Sequence, residues 1–257
     1  LPSHSRRASY AALSYCWGLE TEVRPIKTMK NNVARFSESI VAADLPLTIR
    51  QAIEVTRILN LEYLWVDSLC IIQDDDDDWR KESQMMGMIY QNATVTIAAT
   101  SARHCNEGLF LAIPNRLWDH LDSDSEIGQS RWNTRAWVVQ ERILSRRILH
   151  FGRTQLYWEC QESLHAESNS MPIPSDTRFL LNHKLENMAG MDMGIPAQAA
   201  MQRSWERIVG IYNVCELQRE TDKLPAVVGF AREIAIMSGQ TFCAGVWLED
   251  IARGLYW

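Results

Sequence analysis

Glu141 carries the most suggestive chemistry in the chain, inside Trp132 to Arg147, WNTRAWVVQERILSRR, where a carboxylate is set among bulky apolar, amide and cationic residues. At about 100° per residue, a helix here puts Ala136, Val139, Ile143 and Leu144 on one apolar arc, and Trp137 and Glu141, four apart, together at its edge. An acid projecting beside an indole from a half-buried helix can be held desolvated and oriented, the usual condition for a catalytic carboxylate. The structural alternative is a helix-face ion pair with Arg135, Arg142 or Arg146.

Other reactive groups read less specifically. Asp74 to Asp78 invite a metal, but the run lacks an EF-hand's glycine and terminal Glu, and a solvated acidic lead-in that complements the next helix's dipole is the simpler reading. Cys16 and Cys70 could serve a Cys/His hydrolase; no histidine lies near either in sequence, and a buried thiol is the commoner outcome.

The elements that must position Glu141 follow an α/β rhythm. Tyr10 to Tyr15, YAALSY, is a buried strand ending at the turn Cys16-Trp17-Gly18, so Ser14 and Tyr15 fall at its carboxyl end. Leu19 to Asp44 reads as loop with at most a short helix. Pro46 starts a helix over Leu47 to Leu59, and Leu61 to Val66 forms a second strand with Asp67 at its carboxyl end, where open α/β folds bind ligands. Trp79 to Ala93 is a helix and Thr94 to Thr100 a third strand. After a loop-like stretch and the Glu141 helix, Ile148–Phe151 and Gln155–Cys160 flank Gly152-Arg-Thr154 as a hairpin. His165 to Pro196, with three prolines and two glycines, reads as a linker or long loop. Helices follow over Ala197–Leu217 and Leu224–Met237, with a third at Val246–Ala252.

Composition sets outer limits. The 257 residues suffice for one large domain with an appendage, and 46% hydrophobic with 23% charged residues is ordinary for a globular protein. A net charge of -6 without a basic tract argues against an extended nucleic-acid footprint. Six scattered cysteines with no CxxC pair or zinc spacing favour reduced thiols in a cytoplasmic protein, and no metal site is expected. No apolar run approaches the roughly 20 residues of a membrane span, and no signal peptide is visible. The start at Leu1 and the apolar end suit a piece of something longer.

Several stretches together resemble the fungal heterokaryon-incompatibility (HET) domain. They are Ala12-Leu-Ser-Tyr-Cys-Trp-Gly18, Trp65-Val-Asp-Ser-Leu-Cys-Ile71 with Gln73, Met88-Ile-Tyr-Gln-Asn-Ala93, and Arg135-Ala-Trp-Val-Val-Gln-Glu-Arg142 with Leu144-Ser-Arg146. Thr221-Asp-Lys-Leu-Pro225 and Ala244-Gly-Val-Trp247 resemble the segment that commonly follows that domain. The resemblance implies a role in cell death after non-self recognition, and a distant similarity to the Toll/interleukin-1-receptor (TIR) domain, some members of which cleave NAD. The implied fold is a TIR-like (flavodoxin-like) three-layer α/β domain with a largely parallel central sheet, a β-hairpin and a C-terminal helical extension. Its parts are residues 1–165 as the domain, 166–196 as linker, and 197–257 as the extension packed on it.

In TIR enzymes the catalytic motif is a Trp followed four residues later by Glu, which Trp137 and Glu141 repeat, although Val138 stands where those enzymes usually carry Cys. Glu107 is a competitor by chain order but lacks the Trp. The resemblance thus implies an NAD+ glycohydrolase with Glu141 near the ribose. Ser14, Tyr15, Trp17 and Gly18 would line the pocket, Arg135 would meet a phosphate, Trp137 would stack on nicotinamide or ribose, and Asp67 would bind ribose or brace the turn at Cys70 and Gln73. NAD+ is substrate, and no separate cofactor is implied. Implied partners are further copies of the chain and an NLR-type recognition protein or another incompatibility protein, with neither nucleic acid nor membrane. The alternative is a non-catalytic module that signals by homotypic assembly. In either case Trp137 and Glu141 are expected to face the strand ends at Ser14, Tyr15 and Asp67, while Ala136, Val139 and Ile143 anchor the helix to the sheet.

Overall fold

Ala11, Ala12 and Leu13 have no exposed surface, so their strand is covered on both faces, as a central parallel strand must be. The structure, a computed structural model, describes residues 8–19, 21, 23–110, 123–174 and 197–254. β1 (Tyr10–Ser14) is followed by α1 (Val33–Glu38), α2 (Leu47–Ile58), β2 (Tyr63–Trp65), the single turn α3 (Asp67–Cys70), α4 (Asp76–Asn92) and β3 (Val95–Ala98). Then come α5 (Ser123–Gly128), α6 (Ala136–Leu144), β4 (Arg147–Phe151), β5 (Leu156–Cys160), β6 (Ser163–Ala166) and β7 (Asn169–Pro174). The tail holds α7 (Ala197–Asn213), α8 (Pro225–Ser238), the short pair β8 (Phe242–Cys243) and β9 (Val246–Trp247), and α9 (Ile251–Gly254).

The first seven strands form one sheet in the order β2-β1-β3-β4-β5-β6-β7. The first four are mutually parallel, and β5, β6 and β7 continue antiparallel from the hairpin. The order 2-1-3-4 is that of flavodoxin-like sheets, in which the chain leaves β1 in opposite directions and opens a crevice at the carboxyl ends of β1 and β3.

Alternation assigns β1's side chains to the two faces. Ala11, Leu13 and Tyr15 join Ile49, Ala52 and Val55 of α2 in one core. On the other face, Ala12 meets Met86 and Tyr90 of α4, and Cys16 meets Trp132 and Val138. The result is a three-layer α/β arrangement. α7 and α8 add a further layer against α6, through Trp205, Ile208, Phe230 and Ala231. Pro225 opens α8 and Gly239, at φ 69°, closes it in the left-handed region.

Three expectations need correction. Residues 169–174, read as linker because of their prolines, form β7 at the sheet's edge, where a strand tolerates proline; residues 175–196 lie outside the described residues. Val246 begins a short strand, and only Ile251–Gly254 is helical. Ala136, Val139 and Ile143 anchor α6 to α7 and α8 and not to the sheet.

Candidate active site

The sheet-facing side of α6 is Val138, Glu141 and Ser145. Val138 is buried among Cys16, Ala98 and Ile148. Ser145 Oγ donates to the Glu141 carbonyl (2.6 Å) and shares a hydrogen bond with Thr96 Oγ1 (2.6 Å) on β3. Between them Glu141, 2% exposed, turns its carboxylate to the carboxyl end of β1 and accepts a hydrogen bond from Ser14 Oγ. Ser14 in turn accepts from the indole nitrogen of Trp132 (2.6 Å). The Tyr90 hydroxyl lies against the same carboxylate and hydrogen-bonds the Leu13 carbonyl (3.0 Å).

Arg135, extended just before α6, supplies the nearby positive charge while its Nη1 donates to the Tyr15 carbonyl. Burial pushes the Glu141 carboxyl above its usual range, partly offset by Arg135, Ser14 and Tyr90. Asp67 is the second acid. Burial, then the charge of Glu141, raises it to about 7 against the pull of Arg135, the Ser68 amide and Trp17. The site thus sets two carboxylates, both raised above the usual carboxylate range by burial, near the charge of Arg135 at the carboxyl ends of β1 and β2.

The remaining expected residues divide. Trp17 Nε1 donates to both oxygens of Asp67 (3.1 and 3.0 Å), and the Asp67 side chain also accepts from the Ser68 amide (2.7 Å). Gln73 Nε2 donates to the Asp67 backbone carbonyl (3.3 Å). Tyr15 points to the opposite face, 2% exposed, with its hydroxyl on Ser68 Oγ (2.9 Å), because adjacent strand residues cannot share a face. Gly18 answers a backbone need: φ is +92°, and a Cβ there would lie 2.5 Å from Val23 and 2.6 Å from His104. Trp137 does not present its polar edge beside Glu141. Its Nε1 donates to Asp222 (3.1 Å), and its ring stands edge-on to Trp79 with centroids 6.5 Å apart. Glu107 is tied to Arg103 in its own loop (2.8 Å).

Sequence reasoning missed a second buried cluster behind the site. Glu159, fully buried, accepts from Arg142 Nε (3.0 Å) and pairs with His150 Nε2 (2.8 Å). His150 Nδ1 meets Thr100 Oγ1 (2.9 Å). Hydroxyl, imidazole and carboxylate stand in the order of a nucleophile triad, yet all three are at most 1% exposed and Arg142 holds the acid, so the cluster is structural. In β5 Glu159 shares the buried face with Tyr157, between the exposed Trp158 and the half-buried Cys160, and in β4 His150 shares it with Ile148.

The acidic run caps α4. Asp75 accepts from the amides of Asp77 and Asp78, and Asp78 accepts from the Ile72 amide (2.8 Å). Among the described residues no group of three or more His, Cys, Asp or Glu side chains is placed to hold a metal, and no helix is long and apolar enough to cross a membrane. All six cysteines are free thiols; burial raises Cys16, the reverse of what a thiolate nucleophile requires, while Cys70 is exposed. A cavity of about 560 Å³ opens beside the carboxyl-terminal end of α6, lined by Gln91, Leu144, Arg146, Cys160 and Glu162 among others; Glu141 does not line it.

Comparisons with known proteins agree with the first three motif blocks, up to Ala93. The family model described as "Heterokaryon incompatibility protein (HET)" matches residues 10–124. The chain is 26% identical over 151 residues to "Heterokaryon incompatibility protein 6, OR allele" of Neurospora crassa, an alignment covering 54% of this chain and 21% of the relative. The match thus spans about a fifth of that relative's length. No solved structure matches. The residues matched by that family model hold Ser14, Trp17 and Asp67 and end before Glu141.

Proposed function

We propose that this chain is a cell-death effector domain of fungal non-self recognition, and that it hydrolyses NAD+ at the nicotinamide–ribose bond with Glu141 as the catalytic carboxylate. The observation that carries this reading is Glu141 itself, a buried acid hydrogen-bonded by Ser14 at the carboxyl end of β1, with the charge of Arg135 and the Asp67 carboxyl nearby. The family match and the 2-1-3-4 strand order support the broader frame, including distant kinship with TIR domains.

The chemistry balances without a cofactor. The bond from ribose C1′ to the pyridinium nitrogen breaks, and its electron pair leaves with neutral nicotinamide, so no strong acid is needed. Glu141 stabilises the oxocarbenium charge left on the ribose, much as a glycosidase carboxylate does. Water adds to C1′ and releases a proton, which Asp67 can accept because its affinity is centred at about 7. Arg135 would meet a phosphate of the dinucleotide. With Glu141 2% exposed, entry of the dinucleotide requires the Trp17–Gly18 turn or α6 to move. The protein acts in the cytoplasm, and assembly with further copies, prompted by a recognition protein, is the event that opens the site.

Purified protein should release nicotinamide from NAD+, and Glu141→Gln should abolish release while leaving the fold intact. No release by the wild type, at high concentration and in assemblies, removes the enzyme reading. One observation favours a second function: a carboxylate this enclosed suits a structural part in a module that signals by homotypic assembly alone. Surface charge reversals that stop cell death while Glu141→Gln does not would select it.

A further inference from the structure

Trp132 is the largest fully buried side chain among the described residues, and its position is set by polarity as well as volume. An indole nitrogen can only donate a hydrogen bond. Here it donates to Ser14 Oγ at 2.6 Å. The serine has a single proton, and with Trp132 occupying an acceptor position that proton is directed onto Glu141 Oε2. The Trp132-to-Ser14 donation cannot be reversed, because the indole nitrogen has no acceptor, and an ionised Glu141 can only accept from the serine.

The indole is itself held in place. His150 stands edge-on to it, with centroids 5.3 Å apart at 87°. His150 is fixed by Glu159 and Thr100, and Glu159 by Arg142, the residue after Glu141 on α6. Arg142 Nη1 also reaches Asn133, next to Trp132 (3.2 Å). Consecutive helix residues are thus tied to the same indole, Glu141 through Ser14 and Arg142 through the buried ion cluster.

We propose that Trp132 is a positioning residue for Glu141: acting through Ser14, it keeps one carboxylate oxygen ionised and aimed at the carboxyl end of β1, and the Arg142–Glu159–His150 cluster holds the indole for that purpose. The proposal rests on Glu141 being the working carboxylate, as in the function above, but the hydrogen-bond chain is measurable without turnover. The other groups facing Glu141 are Tyr90 from α4, Arg135 before α6, Asp67 at the start of α3 and Cys16 after β1, of which Cys16 shares a buried cluster with Trp132.

The test is a titration of the Glu141 carboxyl carbon by NMR in the full chain labelled at glutamate, assigned with Glu141→Gln. Trp132→Phe keeps an aromatic ring and removes the donor. It should raise the Glu141 midpoint by about one pH unit. Ser14→Ala should raise it at least as far, and Trp132→Phe added to Ser14→Ala should raise it no further. Where the smaller ring loosens the fold, the sulfur isostere benzothienylalanine at position 132 preserves the shape without the N–H. A midpoint unchanged by loss of the donor, or effects of the two changes that simply add, overturns the proposal. In the nicotinamide assay Trp132→Phe should lower kcat about tenfold with KM little changed. A wild type that releases no nicotinamide would defeat the NAD reading, while the titration would still decide the role of Trp132.

Discussion

Asp67 should make this protein less stable as the solution becomes less acidic, which is opposite to the behaviour of a carboxylate in a salt bridge. Its folded value is about 7 against an ordinary 3.8, because burial and then the charge of Glu141 disfavour ionisation. The folded state therefore keeps a proton that the unfolded chain gives up. That advantage is complete below pH 3.8 and is lost as pH rises through about 7. Three pH units, at about 1.4 kcal/mol each, are worth about 4 kcal/mol, a large share of a typical domain's stability. Glu141 is also raised, so the two acids act in the same direction. Asp67→Asn removes the titration but leaves an amide oxygen to accept from Trp17 and Ser68. Urea unfolding from pH 4 to pH 8 should show Asp67→Asn gaining about 4 kcal/mol on the wild type across that range. Parallel stability curves for the two proteins would refute the reasoning.

Substitutions at two other positions test how α6 is held. Glu159→Ala strands Arg142 and His150 in a buried site, and should destabilise by about 3–5 kcal/mol by urea midpoint, with Glu159→Gln losing less. Gly229→Ala should lose about 1–3 kcal/mol in the same assay, because its Cβ would overlap Gln140 Oε1 and sit 3.0 Å from Gly87 Cα where α8 crosses α4.

The parallel strands were readable because they are short apolar runs ended by turn residues: Tyr10 to Tyr15 and Leu61 to Val66 each contain the observed strand. β7 was hidden by prolines that an edge strand accommodates. The α6 stripe was correctly seen as amphipathic, but its direction was not. An apolar arc says that something covers it, and here that cover is α7 and α8 from residues 197–238, while the sheet receives Val138, Glu141 and Ser145. Glu141 could be singled out by its neighbours, whereas its partners could not: Ser14 lies 127 residues away, and Trp132 meets that serine across 118. Both Trp132 and Tyr90 look like ordinary core aromatics until the fold shows what their N–H and O–H reach. Trp137 misled in the opposite sense, since four-residue spacing places two side chains on neighbouring positions without fixing where their polar ends point.

The central claim is that Glu141 works on a bound nicotinamide dinucleotide, and a crystal structure of the full chain with a non-hydrolysable carba analogue of NAD+ tests it most directly. The ribose C1′ position should lie beside the Glu141 carboxylate, with Asp67 and Arg135 in contact with the ligand and the Trp17–Gly18 turn or α6 displaced to admit it. An analogue seated away from Glu141, or a saturating soak that leaves the carboxylate closed against Ser14, would contradict it.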